Sequence, residues 1–589
     1  MENNFLQWGV EGLDDRRNNA SLAELKYLPY LSTLYLHITD PMILPKDFFS
    51  KKLERFNILI EEGWEWSSKR ETSTIMKLKI SASILSEEGI QLLLKRTEDL
   101  HLDGLQGVKS FLLKHLHIQN SLEIRYIVDS TMLSPIVDFP FLVSLSLDKL
   151  NKLEKICNGQ PVAESFSKLR ILKVKSCPML KNLFSLHMER GLLQLEEINK
   201  IDCEIMEVIV AEESGGGADE DEAIKLTQLR ALTLEYLPQF TSDQPGELSC
   251  WFVRLTSLIV QGCRNLKYLF TTSMVESLAQ LKRLELCDCV SMEEIIIKNG
   301  LGEEENVRGM MLPKLEFLKL KGLPNLTRFC TGHPQLGRIM AKLKVCQGQF
   351  SADLFHKVRD LGLECFHGAS AVFPFGILNR FNNMENLVVS GGYFKELFPC
   401  QLVDEEEHTL ARIRFLKLHH LPDLEKIWNQ DLRVDQLLQN LETLEVSYCD
   451  SLINLAPSAS TFGNLTALVV WNCKALKYLV TSSTARSLVQ LSVMSIARCE
   501  MVTEIVASNG DEAGNEIIFR KLESLKLDCL ESLTSFCSVD FTFRFPCLTE
   551  VIVTNCPKIK TFSLGILSTP TLRKVWLSEE KDKGHWKGD

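Results

Sequence analysis

No Gly-Lys dipeptide occurs anywhere in the 589 residues. A Walker-type phosphate loop needs that pair after its glycines, so nucleotide binding by that route is excluded. His-Glu-x-x-His and Gly-x-Ser-x-Gly are also absent, which removes two common hydrolase frameworks. There is no Cys-x-x-Cys among the 18 cysteines, so no zinc-ligand spacing is offered. Glycine and proline, at 31 and 19, are too few for a low-complexity chain. No uncharged apolar run approaches the length of a membrane-spanning helix. The start, Met1-Glu-Asn-Asn-Phe-Leu-Gln-Trp8, lacks the basic and apolar segments of a signal peptide. Basic charge is short as well: 66 Lys and Arg stand against 77 Asp and Glu, a net of −11. That argues against a general binder of nucleic acid or anionic membrane. The expectation is a chain that is not an enzyme, with no cofactor, no metal, no nucleic-acid partner and no membrane span.

What is present is a repeat. Leu169, Leu172, Val174, Cys177 and Leu180 set a spacing that returns at Leu255, Leu258, Val260, Cys263 and Leu266. It returns again from Leu441, from Leu465 and from Leu548. Other copies carry Leu in place of Cys, as at Leu237 and Leu323. About twenty copies fill the chain, in the pattern L-x-x-L-x-L-x-x-N/C-x-L of a leucine-rich repeat. The x-Leu-x-Leu-x core is a short strand whose alternate residues face one side. A lone strand cannot bury that face, and stacked parallel copies can. The predicted fold is an α/β solenoid: a curved leucine-rich-repeat horseshoe with a parallel concave sheet and short helices or loops on the convex side.

The return segments support this. Residues 271–281 offer polar N-cap candidates, then apolar side chains at Met274, Leu278 and Leu281, and residues 481–491 match them closely. The expected layout is a polar lead-in over 1–20 and repeats over 21–330. Less regular repeats with an insertion cover 331–400, further repeats 401–575, and a charged tail 576–589. Acidic runs at Glu212–Glu222, Glu303–Glu305, Asp404–Glu407 and Asp511–Glu512 read as solvated loops.

The cysteines hold one register: Cys177, Cys203, Cys263, Cys289, Cys449, Cys473, Cys499 and Cys556. A small thiol suits a position that turns the chain out of its strand, and its S–H can reach a backbone carbonyl. Many thiols without a scaffold pattern point to a reducing compartment, hence a cytoplasmic location. Alternation sends His117 and His419 outward to solvent. Trp64 and Trp66 read as packing an irregular early repeat. The glycosylation triplets at Asn19, Asn325 and Asn464 read as coincidence.

Taken with Ser21-Leu-Ala-Glu-Leu-Lys26, Leu44-Pro-Lys-Asp47, Trp64-Glu-Trp66, Leu94-Lys-Arg-Thr-Glu-Asp-Leu100, Cys177-Pro-x-Leu-Lys-x-Leu-Phe184, Phe394-Lys-Glu-Leu-Phe-Pro399 and Gly584-His-Trp-Lys-Gly588, the chain resembles the leucine-rich-repeat region of plant intracellular NLR disease resistance proteins. These are receptors of the coiled-coil, nucleotide-binding class, and the likeness spans nearly all of the sequence. It implies a non-catalytic recognition solenoid of plant defence that senses pathogen effectors or guarded host proteins. The family's coiled-coil and nucleotide-binding domains have no counterpart in this sequence. A truncated receptor is therefore expected, working with a nucleotide-binding receptor in trans. A substrate-adaptor repeat protein and a non-functional receptor remnant are the alternatives.

Strand positions between the buried leucines point outward in columns. Those columns carry Lys173, Lys175, Lys319, Lys321, Lys417, His419 and Trp471. A basic strip with one large aromatic is the expected partner-binding site, because charge steers encounter and aromatics anchor interfaces.

Overall fold

A computed structural model describes residues 22–39, 53–61, 64, 73–79, 88–104, 113–129, 139–159, 165–185, 192–211, 226–241, 253–271, 274, 276–297, 312–326, 328–330, 357–364, 378, 381, 383–398, 412–428, 439–457, 460–508, 510 and 516–577. The chain forms two compact units, Met1–Leu281 and Lys282–Asp589. The acidic runs, the segment 331–356, Trp66 and the polar lead-in lie outside the described residues.

In the first unit a parallel ladder runs from Thr33–Ile38 through each repeat to Ser257–Gln261. In the second, the ladder runs from Arg283–Cys287 to Lys574–Trp576. Both are leucine-rich-repeat solenoids. Numbering a strand one to five, positions two and four are buried and one, three and five face outward, as in Phe415–His419 and Thr443–Ser447. Leu416 pairs with Leu444 and Leu418 with Val446, so each column continues one apolar stripe. Every fully buried Leu or Val contributes about 1.5–3 kcal/mol, which is why a repeat is stable only beside its neighbours.

The residue after the strand closes each repeat. Asn120, Lys149, Ser176, Tyr448, Asn472 and Arg498 all have φ between 50° and 55°. Other repeats place Gly262, Gly322 or Gly391 there, where positive φ costs nothing. The N–H of this residue donates to the last strand carbonyl of the next repeat, as from Tyr448 to Trp471 and from Asn472 to Ala497. The left-handed step then turns the following side chain inward, onto the cysteine register. Cys177, Cys203, Cys263, Cys289, Cys449, Cys473 and Cys499 are fully buried, while Cys556 is half-buried. Each thiol donates to the carbonyl two residues back: 3.4 Å from Cys177 to Lys175, 3.3 Å from Cys499 to Ala497 and 3.2 Å from Cys556 to Thr554. Burial pushes the Cys177 thiol up to about 12. The hydrogen bond with Cys449, backed by burial, does the same to Cys473. Such thiols stay protonated and unreactive. No disulfide joins the described cysteines.

Among the described residues the return segments are short extended pairs as well as helical turns. In the first unit they hold short parallel pairs, Tyr126–Asp129 with Lys155–Asn158 and Phe184–Ser185 with Val210–Ala211. In the second they hold Glu396–Phe398 with Lys426–Trp428, Tyr478–Thr481 with Glu504–Ala507, and Glu516–Ile518 with Thr542–Arg544. The helix expected at 481–491 forms as Ser482–Ser487, with Thr481 as N-cap accepting from the Thr484 N–H. In its counterpart over 271–281, Met274 is helical and Glu276–Leu278 form a 3-10 turn, and Met274, Leu278 and Leu281 are buried as expected. These returns span few residues. A helical turn rises only about 1.5 Å per residue, so an extended return covers more of the neighbouring repeat.

One core position breaks the apolar rule. Position four of the first unit reads Leu147, Val174, Lys200, Leu234 and Val260 across successive strands. Lys200 is fully buried, and its Nζ has no hydrogen-bond partner. Burial lowers its pKa to about 7, against a smaller opposing pull from Cys203, Cys177 and Cys263. Nothing in the repeat spacing flags it. The signal is a charged residue in an inward slot, Glu-Ile-Asn-Lys-Ile, legible once the register is drawn.

Candidate interaction surface

All seven residues expected at a partner site occupy outward strand positions. Lys173 and Lys175 sit at positions three and five of Ile171–Lys175 in the first unit. The other five lie in the second unit, on Phe317–Lys321, Phe415–His419 and Ala467–Trp471.

Their surroundings change the electrostatic picture. Lys319 Nζ lies 2.9 Å from Glu364 Oε1, and Lys417 Nζ lies 2.8 Å from Glu445 Oε2. Lys173 Nζ is 4.0 Å from Glu197 Oε1. These three lysines each meet a carboxylate from a following strand, so position three is zwitterionic instead of a plain basic strip. Lys175 and Lys321 make no ion pair among the described residues. Single-chain reading caught the lysines but not their cross-strand glutamates, because the pairing joins residues 24 to 45 positions apart.

His419 and Trp471 belong to one cluster. His419 Nδ1 and Ser447 Oγ are 2.8 Å apart. Tyr448, the left-handed residue after Thr443–Ser447, meets His419 edge-on at 5.4 Å and His420 at 5.5 Å. It also meets Trp471 at 4.5 Å, with the rings perpendicular. The Arg498 guanidinium sits 5.6 Å from the Trp471 ring centre. A continuous row therefore runs His419, His420, Tyr448, Trp471, Arg498 along the C-terminal ends of four consecutive strands. Burial, then the neighbouring His420 and Lys417 charges, lowers the His419 pKa, so this imidazole is neutral at physiological pH. Sequence reading missed Tyr448, His420 and Arg498 because they follow the strand. The left-handed turn swings these side chains over the outward face, which alternation alone does not foresee.

Two other surfaces gather charged or aromatic side chains. At the opposite strand ends of the second unit, Glu385, Arg412, Arg414, Glu442 and Asn464 line an open groove of about 430 Å³. Within it Arg414 pairs with Glu442, and Glu385 lies 4.0 Å from Arg359 outside the lining. In the first unit, His101 and His117 stack at 4.4 Å, with Trp64 edge-on to His101 at 6.2 Å. Trp64 packs on its own repeat, donating from Nε1 to the Ile60 carbonyl at 3.0 Å. Among the described residues no group of three or more His, Cys, Asp or Glu is placed to hold a metal. No described helix is long and apolar enough to cross a membrane.

Comparison with known proteins agrees with the geometry. A family model described as plant disease resistance protein RPS2-like leucine-rich repeats matches residues 140–289, 241–345, 336–461 and 456–568. The Arabidopsis thaliana probable disease resistance protein At4g27220 is 30% identical over 285 residues, covering 46% of this chain and 30% of that protein. The putative disease resistance protein At4g10780 of the same plant is 24% identical over 189 residues, covering 31% of this chain and 19% of its own length. The chain thus spans less than a third of either relative. Among solved structures, TLR13 in complex with ssRNA13 is similar at 15% identity and a TM-score of 0.34, over 86% of this chain and 79% of that one. The plant peptide hormone receptor RGFR1 in complex with RGF2 is similar at 13% and 0.23, over 76% and 81%. The outward strand face, the cysteine register and the family match over most of the sequence lead to one conclusion: this chain belongs to the RPS2-like leucine-rich-repeat family of plant disease resistance proteins.

Proposed function

We propose that the chain is a non-catalytic recognition solenoid of plant defence, which senses a pathogen effector or a guarded host protein through the outward strand face of its second unit. The observation that carries this is the row from His419 to Arg498. Tyr, Trp and Arg are the residue types that dominate interface energetics. Here they are held by mutual contacts, so little side-chain entropy remains to be lost on docking. Protonated, buried thiols support a reducing, cytoplasmic setting. A nucleotide-binding receptor acting in trans is the partner to which such recognition is relayed.

The test is capture of a partner from infected and healthy leaf tissue by the full chain, followed by surface-binding kinetics. Trp471→Ala should weaken the captured partner at least tenfold, mainly through faster dissociation. Lys319→Glu and Lys417→Glu should slow association at low salt, since each places a new carboxylate beside Glu364 or Glu445. Unchanged affinity in all three variants would place recognition elsewhere.

A further inference from the structure

We infer that the strand Glu197–Ile201 is a proton-gated opening point of the first unit, where a protonated Lys200 frees the strand and uncovers the Cys203 thiol.

This strand buries polar atoms that nothing satisfies, one on each face. Inward, Lys200 is fully buried and its Nζ has no hydrogen-bond partner. Outward, Asn199 Oδ1 is buried and unpartnered as well. Among the described strands no other has such side-chain atoms on both faces. Each orphan is desolvated in the closed strand and hydrated in the open one, so both favour opening. The ladders to Ile171–Lys175 and Ala231–Glu235 oppose it. The return layer beside the strand adds little, since Phe184–Ser185 and Val210–Ala211 pair over two residues only.

Charge makes the larger contribution. Val174 and Leu234 flank Lys200 in register, and both are buried. The titratable groups that face its amine are three thiols. They are Cys203 of its own repeat, Cys177 of the repeat before and Cys263 of the second repeat after. Burial pushes the Cys177 thiol up to about 12 and raises Cys203 as well, so neither is a thiolate at neutral pH. Cys263 is fully buried too. An ammonium in this slot finds no counter-charge among the described residues. Burial accordingly lowers the Lys200 pKa to about 7. An amine released into water titrates near 10.4. Opening between those values takes up a proton, so it becomes easier as pH falls through the interval and levels off below it.

Opening at an inner repeat breaks few contacts, because each repeat of a solenoid touches only its neighbours. The ladder then parts between Ile171–Lys175 and Ala231–Glu235. Cys203 leaves its slot with the strand, since its thiol donates to the Ile201 carbonyl at 3.6 Å. Cys157, buried on the return strand Lys155–Asn158 of an earlier repeat, stays covered.

The experiment labels the full native chain with iodoacetamide, at concentrations where the rate is proportional to reagent, and reads each cysteine by peptide mass. At pH 7 Cys203 should label at least tenfold faster than Cys157 in the same unit and Cys473 in the second. Lys200→Met should slow Cys203 by roughly thirtyfold or more at pH 7 and leave Cys473 unchanged. Comparing the two proteins at one pH cancels the thiolate chemistry of the reagent. Their ratio should shrink at least tenfold by pH 9.5, because fewer protons are then available to hold the strand open. Equal labelling of Cys203 and Cys157 would mean that the whole unit opens together, and it overturns the inference. So does a ratio that stays constant with pH, or Cys203 labelling as slow as that of Cys473.

Discussion

The two units share one strand grammar but place charge differently. In the first, polar groups are buried on both faces of the sheet. Asn57, Lys77 and Asp99 on its outward side are buried, and Lys200 sits inside the core. In the second, position four runs Leu418, Val446, Val470 and Ile496 without a polar residue. Its only buried charged residue among the described ones is Asp528, which has a hydroxyl donor. A core with no unpaired charge costs nothing in desolvation, so the second unit can carry an open row of aromatics on a stiff base. The first unit carries in its core the Lys200 amine, whose Nζ has no hydrogen-bond partner, and that desolvation cost has no counterpart at position four of the second unit. The difference is best examined by moving the charge from one unit to the other.

The largest expected effect comes from giving the second unit the first unit's defect. Val470→Lys puts an amine at the same position-four slot, with Val446 and Ile496 on either side. Without a partner it should cost about 4 kcal/mol or unfold the unit at neutral pH. Urea titration of a variant that keeps Trp471 as its single tryptophan reads this. A cost below about 1 kcal/mol would show that the core admits water and that the contrast between the units is false.

The converse change is next in size. Lys200→Met should stabilise the first unit by about 2–3 kcal/mol at pH 7, because it removes an unsatisfied amine and keeps the volume. The pH dependence has a fixed sign. The folded-state pKa is lowered to about 7, whereas an unfolded lysine titrates near 10.4. Between those values the unfolded chain binds the extra proton, so native stability rises with pH. The advantage of Lys200→Met is therefore greatest at and below pH 7 and fades toward pH 10.5. A pH-independent gain would mean that Lys200 reaches solvent.

The sequence made the strands readable because Leu at positions two and four repeats with a simple period. Cysteine at the turn was readable for the same reason: the slot after the left-handed step recurs with each repeat. The candidate site was half readable. Trp471 and His419 follow from alternation, but the row exists only because Tyr448 and Arg498 take positive φ and fold back over the sheet. The glutamates that neutralise Lys319 and Lys417 come from other repeats, so no local pattern announces them. The returns were harder still. Tyr478–Thr481 and Ser482–Ser487 are neighbours, yet one is strand and the other helix, and Thr481 capping decides the boundary.

A smaller effect tests the thiol register shared by both units. Cys473 is fully buried, with its Sγ 3.6 Å from the Trp471 carbonyl. Cys473→Ala should cost about 1 kcal/mol through lost packing, and Cys473→Ser somewhat more, since a hydroxyl pays a larger desolvation cost. In the native protein, iodoacetamide should label exposed Cys547 and spare Cys473. Fast labelling of Cys473 would show that the second unit opens readily and is the looser of the two.

The smallest effect concerns the left-handed turn itself. Lys149 has φ of 54°, and its N–H donates to the Lys175 carbonyl at 2.9 Å. The second unit has Gly322 at the matching place, with φ of 58°. An L-residue there pays about 1–2 kcal/mol in contact between Cβ and the carbonyl. Glycine avoids that cost but loses about 0.5–1 kcal/mol more backbone entropy on folding. The balance favours Lys149→Gly by about 0.5 kcal/mol, read as a small rise in the first unit's urea midpoint. The reverse change, Gly322→Ala, should be unfavourable by a little more, because the new Cβ would lie 2.4 Å from the Asp288 Oδ1 and that carboxylate must move aside. If Lys149→Gly destabilises instead, the aliphatic stem of Lys149 packs on the sheet strongly enough to outweigh its backbone strain. The turn residues of the first unit would then be part of its covered face, in contrast to the open row that Tyr448 and Arg498 build in the second.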